Sequence, residues 1–473
     1  MTGGPRAGAG APDRGLLVAV AVSFSVVLAA ALSTLGKTVV PGLDEGVYLE
    51  AARLMADGKL PYRDFFLSHP PWSMAAAAGV LSLVGWSLPA FDALYAAWCL
   101  SPAFPIARTA LAVTGRRGPA LAAALLFLSC PELLRWDARF FALRQASLPF
   151  LAFALHALWV RRRPATAGVL LGLFGAGLVP HAMLAVLAGA GGAWAMRREG
   201  DRAGARRLVG ALGATLAAAY VPLLIVPGGA DALVGFQVAR ARLPEGVRLA
   251  RFLGETLPFN APLLLAGIAG SFAVPSRARL LSVLNLVGLP VVLLVPASWY
   301  PHYVSSFVPS LALASAVLLG SVLDRSPRAG RLAGPALATA SVLLAIVALR
   351  EPWTRTTPDV LATVRAIERA PGPLFTFEPI YALHARRELT FHRHAADMRY
   401  FRVSGLPMLD DATFLEVLSR SRSVLVEPSM ARSLGPARRE ALLRDFVPVH
   451  SDRVHLLLVR RDAPPPGPVS SPP

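Results

Sequence analysis

Long apolar runs alternate with short charged islands over the first three quarters of the chain, and the alternation stops near residue 350. The runs fall at 16–35, 72–88, 90–113, 118–134, 145–160, 164–180, 181–196, 208–227, 258–275, 280–297, 303–323 and 332–349. At 1.5 Å per helical residue, a run of roughly 20 residues crosses a hydrocarbon core of about 30 Å. The pattern predicts a polytopic α-helical membrane protein. After residue 350 the apolar stretches shorten and charge rises. PDVLATVRAIERA, with apolar residues at 360, 361, 364 and 367, reads as an amphipathic helix. LFTFE (374–378) reads as a strand, DATFLEVLSRS as a helix, SVLVE (423–427) as a strand, PARREALLRDF as a helix and VHLLLVRR (454–461) as a strand. This alternation predicts a small α/β domain at 351–461. A disordered tail is expected at 462–473, and a disordered N-terminus at 1–14 ahead of a retained first span.

Arginine placement orders the runs across the membrane. The islands Arg116-Arg117, Arg161–Arg163, Arg197–Arg207, Arg277–Arg279 and Arg325–Arg331 fall on one side together with Arg6 and Arg14 only if 72–88 does not span. That side then holds 17 Arg against 4 acidic residues, as inward-facing loops should. The expectation is about 11 transmembrane helices in 15–350, N-terminus inside and C-terminus outside, with 72–88 lying along the interface. The outer face then collects the 36–89 loop, the 131–144 island, the 228–257 segment with Arg240, Arg242, Arg248 and Arg251, the SWYPHY turn (298–303) and everything after Arg350.

Composition agrees: of 473 residues, 55% are hydrophobic and 16% charged, against about 25% charged in soluble proteins. The net charge of +18 sits largely in loops between runs, so the orientation rule explains it and no nucleic-acid partner is expected. Cys99 and Cys130 lie in or beside apolar runs and read as small core residues.

Chemistry concentrates in Gly42–Trp72, the one long polar stretch of the N-terminal third. Asp44-Glu45 follows the first span directly. A carboxylate beside a bilayer costs desolvation energy, which points to a task; Asp44 is equally placed to cap the helix EGVYLEAARLMADG. In KLPYRDFFLSHPPW, Lys59, Tyr62, Arg63, Asp64 and His69 are candidate binding groups, and an interfacial aromatic belt is the alternative. Arg135, Asp137, Arg139 and Arg144 offer phosphate contacts or headgroup anchors. His181 reads as hydrogen-bonded structure, and His302-Tyr303 as site or belt. No metal-ligand spacing, Walker loop or dinucleotide fingerprint occurs in the sequence.

Residues 44–72 resemble the first outer loop of the GT-C superfamily of membrane glycosyltransferases. The closest likeness is to the bacterial protein O-mannosyltransferase-like and lipid A aminoarabinose transferase-like group. The matching residues are Asp44-Glu45, Tyr48, Ala51, Met55, Gly58, Pro61 to Phe65 and His69-Pro70-Pro71, with weaker echoes in Tyr300 to Tyr303 and Pro309. The resemblance implies an inverting glycosyltransferase of the bacterial inner membrane. It implies a polyprenyl-phosphate sugar donor and a lipid, glycan or protein acceptor on the outer face. Asp44 would be the general base beside Glu45. Lys59, Tyr62, Arg63, Asp64, His69, Arg139, His302 and Tyr303 would serve substrate and phosphate, with no cofactor. His69-Pro70 stands where the lipid A branch commonly has Lys-Pro, so the acceptor stays open. A lipid or polysaccharide transporter would instead show inverted repeats and mid-span charges, and a non-catalytic receptor would leave Asp44 dispensable.

Overall fold

The computed structural model describes residues 13–33, 44–134, 140–235, 245–275, 278–294, 301–349, 358–390 and 410–463. They divide into two compact units. One holds 13–33, 92–225 and 245–349; the other holds 44–91, 226–235 and 358–463.

The first unit is a helical bundle. Helix α1 is Arg14–Leu32, and α2 (Glu45–Ala56) and α3 (Trp72–Leu83) belong to the second unit. The 90–113 run folds as two helices, α4 (Leu88–Leu100) and α5 (Ala103–Thr114), divided at Ser101-Pro102. Then follow α6 (Arg117–Leu128), α7 (Leu143–Trp159), α8 (Pro164–Gly177), α9 (Val179–Arg198) and α10 (Arg202–Ile225). The helices Leu257–Ala273, Val308–Arg325 and Pro327–Leu349 complete the main set. The 280–297 run is broken: Arg279–Ser282 and Leu289–Leu294 are α-helical, and a π-helical turn at Val283–Gly288 joins them. Six helices among the described residues are long and apolar enough to cross a membrane, and five more apolar helices are shorter. The chain is a multi-pass membrane protein.

Small residues let these helices approach closely, the usual basis of packing where lipid is as apolar as the protein. A Cβ at Gly270 would collide with the Ala314 carbonyl of Val308–Arg325. Several buried polar groups in the bundle bond to one another, which offsets the cost of taking them from water. Asn285 donates to Ser271 Oγ at 2.9 Å and accepts from Ser310 Oγ at 2.6 Å. Ser129 and Ser341 bond at 2.8 Å. The arginine islands meet at shared places in the bundle. Arg117 pairs with Asp13 at the head of α1, Arg116 pairs with Asp324 at the foot of Val308–Arg325, and Arg198 and Arg279 both stack on Trp194.

In the second unit, α3 buries Met74, Ala77, Ala78 and Leu81 and exposes Trp72 and Leu83. Its 12 residues reach only about 18 Å, well short of a bilayer. The remainder is an α/β fold. A four-stranded sheet runs in the order β1 (Leu374–Phe375), β2 (Ser423–Val426), β4 (Leu456–Arg460), β3 (Phe446–Ser451). β1 pairs parallel with β2, and the other pairs are antiparallel. Both parallel strands run into a Glu-Pro pair, Glu378-Pro379 and Glu427-Pro428. Each proline opens a short helix, Pro379–His384 and Pro428–Ala431, where its missing N–H costs nothing. The helices Pro358–Arg369, Asp411–Arg420 and Pro436–Asp445 follow the amphipathic pattern of the sequence. Strand β3 is not predicted from the pattern. Pro448 argues against a strand, and the structure tolerates it at the sheet edge with a register shift between Pro448 and His450.

Candidate functional site

Asp44 occupies the N-cap position of α2, yet its carboxylate accepts no hydrogen bond from the first-turn amides. The capping alternative therefore does not account for its side chain. The Tyr48 hydroxyl, one turn on, lies 3.5 Å from Asp44 Oδ2, the outer limit for such a bond. Glu45 is buried in the first turn. Further along α2, Arg53 grips the buried Glu50 through two bonds of 2.9 and 2.8 Å.

The loop after α2 is tightly built. Tyr62 sits in the left-handed region at φ 68°. Its N–H donates to the Phe65 carbonyl (2.8 Å) and its hydroxyl to the His69 carbonyl (2.8 Å). The His69 ring stands edge-on to Tyr48, with centroids 5.9 Å apart, which ties the end of the loop to the acid-bearing helix. Asp64 is gripped by Arg63 through two bonds of 2.9 and 2.8 Å and accepts from the Leu60 N–H at 2.8 Å. The Arg63 bond, then the Leu60 N–H, hold its carboxyl down at about 2. Arg63 is exposed, as is Lys59. Asp44, Tyr48, Tyr62 and His69 thus form one connected assembly, with Glu45 next to Asp44 in the same turn and Arg63 and Asp64 forming a separate ion pair in the same loop.

The membrane unit holds a second polar assembly, at the start of α7 and in the turn Pro301–Phe307. The Arg144 guanidinium lies over the Tyr303 ring, 5.6 Å from its centroid. Gln145 donates to Ser305 Oγ at 2.6 Å. His181 bonds Ser147 at 2.9 Å and Ser306 at 2.8 Å and stacks on Phe174; it is hydrogen-bonded structure, as its lone position in the sequence implies. The serines at 147, 305 and 306 have no sequence signal beyond being polar residues within apolar runs. Arg135, Asp137, Arg139, Arg240, Arg242, residues 36–43 and 298–300 lie outside the described residues, as does the side chain of His302. Arg248 is buried. Among the described residues no group of His, Cys, Asp and Glu could hold a metal ion.

No protein-family model matches the chain, and no curated protein matches it by sequence. Solved structures do. Over 97% of its length the chain is similar to the crystal structure of ArnT from Cupriavidus metallidurans bound to undecaprenyl phosphate, with TM-score 0.67, 15% identity and 100% of that chain covered. It is similar over 96% of its length to the arabinofuranosyltransferase AftD from Mycobacteria (TM-score 0.54, 14% identity, 40% of that chain). It is also similar over 88% to the Archaeoglobus fulgidus oligosaccharyltransferase (TM-score 0.51, 15% identity, 68% of that chain). The chain therefore has the GT-C fold in its ArnT-like form, a multi-pass helical membrane unit combined with a small C-terminal α/β domain.

Proposed function

We propose that the protein is an inverting membrane glycosyltransferase that moves a sugar from a polyprenyl-phosphate carrier to a lipid, glycan or protein acceptor on the outer face of a bacterial inner membrane. The observation that carries this reading is the fold, which matches a structure bound to undecaprenyl phosphate, with the Asp44-Glu45 pair at the head of α2. In the reaction, Asp44 takes the proton of an acceptor hydroxyl. The acceptor oxygen attacks the anomeric carbon from the face opposite the phosphate, the bond from that carbon to the phosphate oxygen breaks, and polyprenyl phosphate leaves with the electron pair. Inversion follows from this single displacement.

The leaving phosphate is an anion next to low-dielectric surroundings, so a fixed cation stabilises it more than water would. Arg144, which lies over the Tyr303 ring, is our first candidate in the membrane unit; Arg139 and His302 are further candidates from the sequence. Lys59 and Arg63 are candidates for the acceptor or the sugar, together with Tyr62, Asp64 and His69. Arg63 would first have to leave Asp64.

The test is Asp44→Asn in the purified chain, assayed with a panel of undecaprenyl-phosphate sugars. We expect transfer to fall by at least roughly a hundredfold, the scale of a lost general base, with insertion and thermal unfolding unchanged. Full transfer by this variant overturns the assignment. Movement of the carrier across vesicles without formation of a glycosidic bond would establish a transporter instead.

A further inference from the structure

The head of α2 is not held by its own cap. It is held by the C-terminal α/β fold of the same unit. At Gly46 the helix touches Pro379–His384 so closely that a Cβ there would stand 2.7 Å from the Ile380 nitrogen and 2.9 Å from its Cβ. Ile380 neighbours Tyr381, which is fully buried. The Tyr381 hydroxyl lies 2.6 Å from His455 Nε2, and His455 Nδ1 lies 2.9 Å from Asp452. Asp452 accepts from the Thr363 hydroxyl at 2.8 Å and from the Val454 and His455 amides at 2.8 Å each. An ionised carboxylate only accepts, so Nδ1 carries the imidazole proton and Nε2 accepts from Tyr381. The chain Asp452–His455–Tyr381 thus fixes the Pro379–His384 helix from behind.

We propose that Asp452, His455 and Tyr381 are positioning residues for the base. By locking Pro379–His384 they set where Gly46 can rest, and with it the turn carrying Asp44 and Glu45. Gly46 is required because any side chain there would push α2 off this support. The α/β domain is thereby part of the catalytic framework, coupled to the acidic turn through one glycine contact. This inference rests on Asp44 being the base.

The experiment uses the full chain in lipid nanodiscs and the polyprenyl-phosphate sugar that the wild-type chain transfers. Tyr381→Phe removes one hydroxyl and keeps the ring; Gly46→Ala disturbs the same contact from the other side. In each, amide hydrogen exchange across Glu45–Ala56 should rise by roughly tenfold, the scale of one lost buried hydrogen bond, while β4 keeps its protection. The kcat should fall at unchanged KM for the donor, since only the placement of the base has changed. Combined, the two substitutions should cost little more than the larger one alone, because they act through one element. Unchanged exchange in α2, or raised exchange with wild-type kcat, overturns the proposal. Asp44→Asn, measured beside them, separates the two ideas. If it keeps full transfer the base assignment fails, whereas loss of transfer in Asp44→Asn with wild-type kcat in Tyr381→Phe and Gly46→Ala sinks the positioning role alone.

Discussion

Asp44 and Asp452 show how differently two carboxylates of one unit can be used. Asp44 leads a helix without capping it. Asp452 is consumed by structure. Burial pushes its carboxyl up, but the amides of Val454 and His455, the Thr363 hydroxyl and the His455 ring outweigh that and hold it at about 2. Its folded pKa is depressed below the ordinary 3.8, so its contribution to stability is complete above that value and is lost as pH falls toward 2. We therefore expect protection of β4 amides to be flat above about pH 4 and to decline between about pH 4 and 2. Asp452→Asn should lower protection at neutral pH and flatten that decline, which exchange measured across a pH series would show. A decline of equal size in the variant would assign the acid sensitivity to other groups. Residue by residue, the acidic pair could be read from the sequence because carboxylates are rare beside a bilayer. The Asp452–His455–Tyr381 chain could not, because its members lie up to 74 positions apart and each is an ordinary residue of a small α/β domain.

At the scale of elements, hydrophobic period was the reliable guide. Runs of about twenty apolar residues became helices, and β1, β2 and β4 fell inside the stretches that alternate as strands should. What the pattern missed was decided by tertiary contacts. The edge strand β3 accepts Pro448 because its outer side needs no donor, and the 280–297 run breaks into a π-helical turn around Asn285, whose side chain is spent on Ser271 and Ser310. Helix contacts depend equally on single small residues. Gly270→Ala would force Leu257–Ala273 away from Val308–Arg325, and overpacking of this kind costs typically about 1–3 kcal/mol. A lowered unfolding temperature with no change in inserted protein is the expected result; unaltered thermal stability would mean the helices separate freely at that point.

For the whole molecule, arginine counting gave an orientation that cysteine labelling can check. Both native cysteines are buried, so the background is low. A cysteine placed at the exposed Arg439 in the α/β domain should react with a membrane-impermeant maleimide in intact cells. One placed at the exposed Arg202 should react only after permeabilisation. The opposite pattern would reverse the proposed topology and put the acidic turn on the wrong side for a carrier on the outer face.

The packing of Gly46 on Ile380 also sets a timetable. About 400 residues separate Tyr48 from His455. At 5–20 residues per second, a ribosome needs on the order of 20–80 s to deliver the second after the first. Throughout that interval the acidic turn has emerged without the surface it rests on. On the proposed reading, the turn carrying Asp44 gains its working geometry only once β4 is in place, so a chain whose synthesis stalls before His455 would insert its helices without a positioned base.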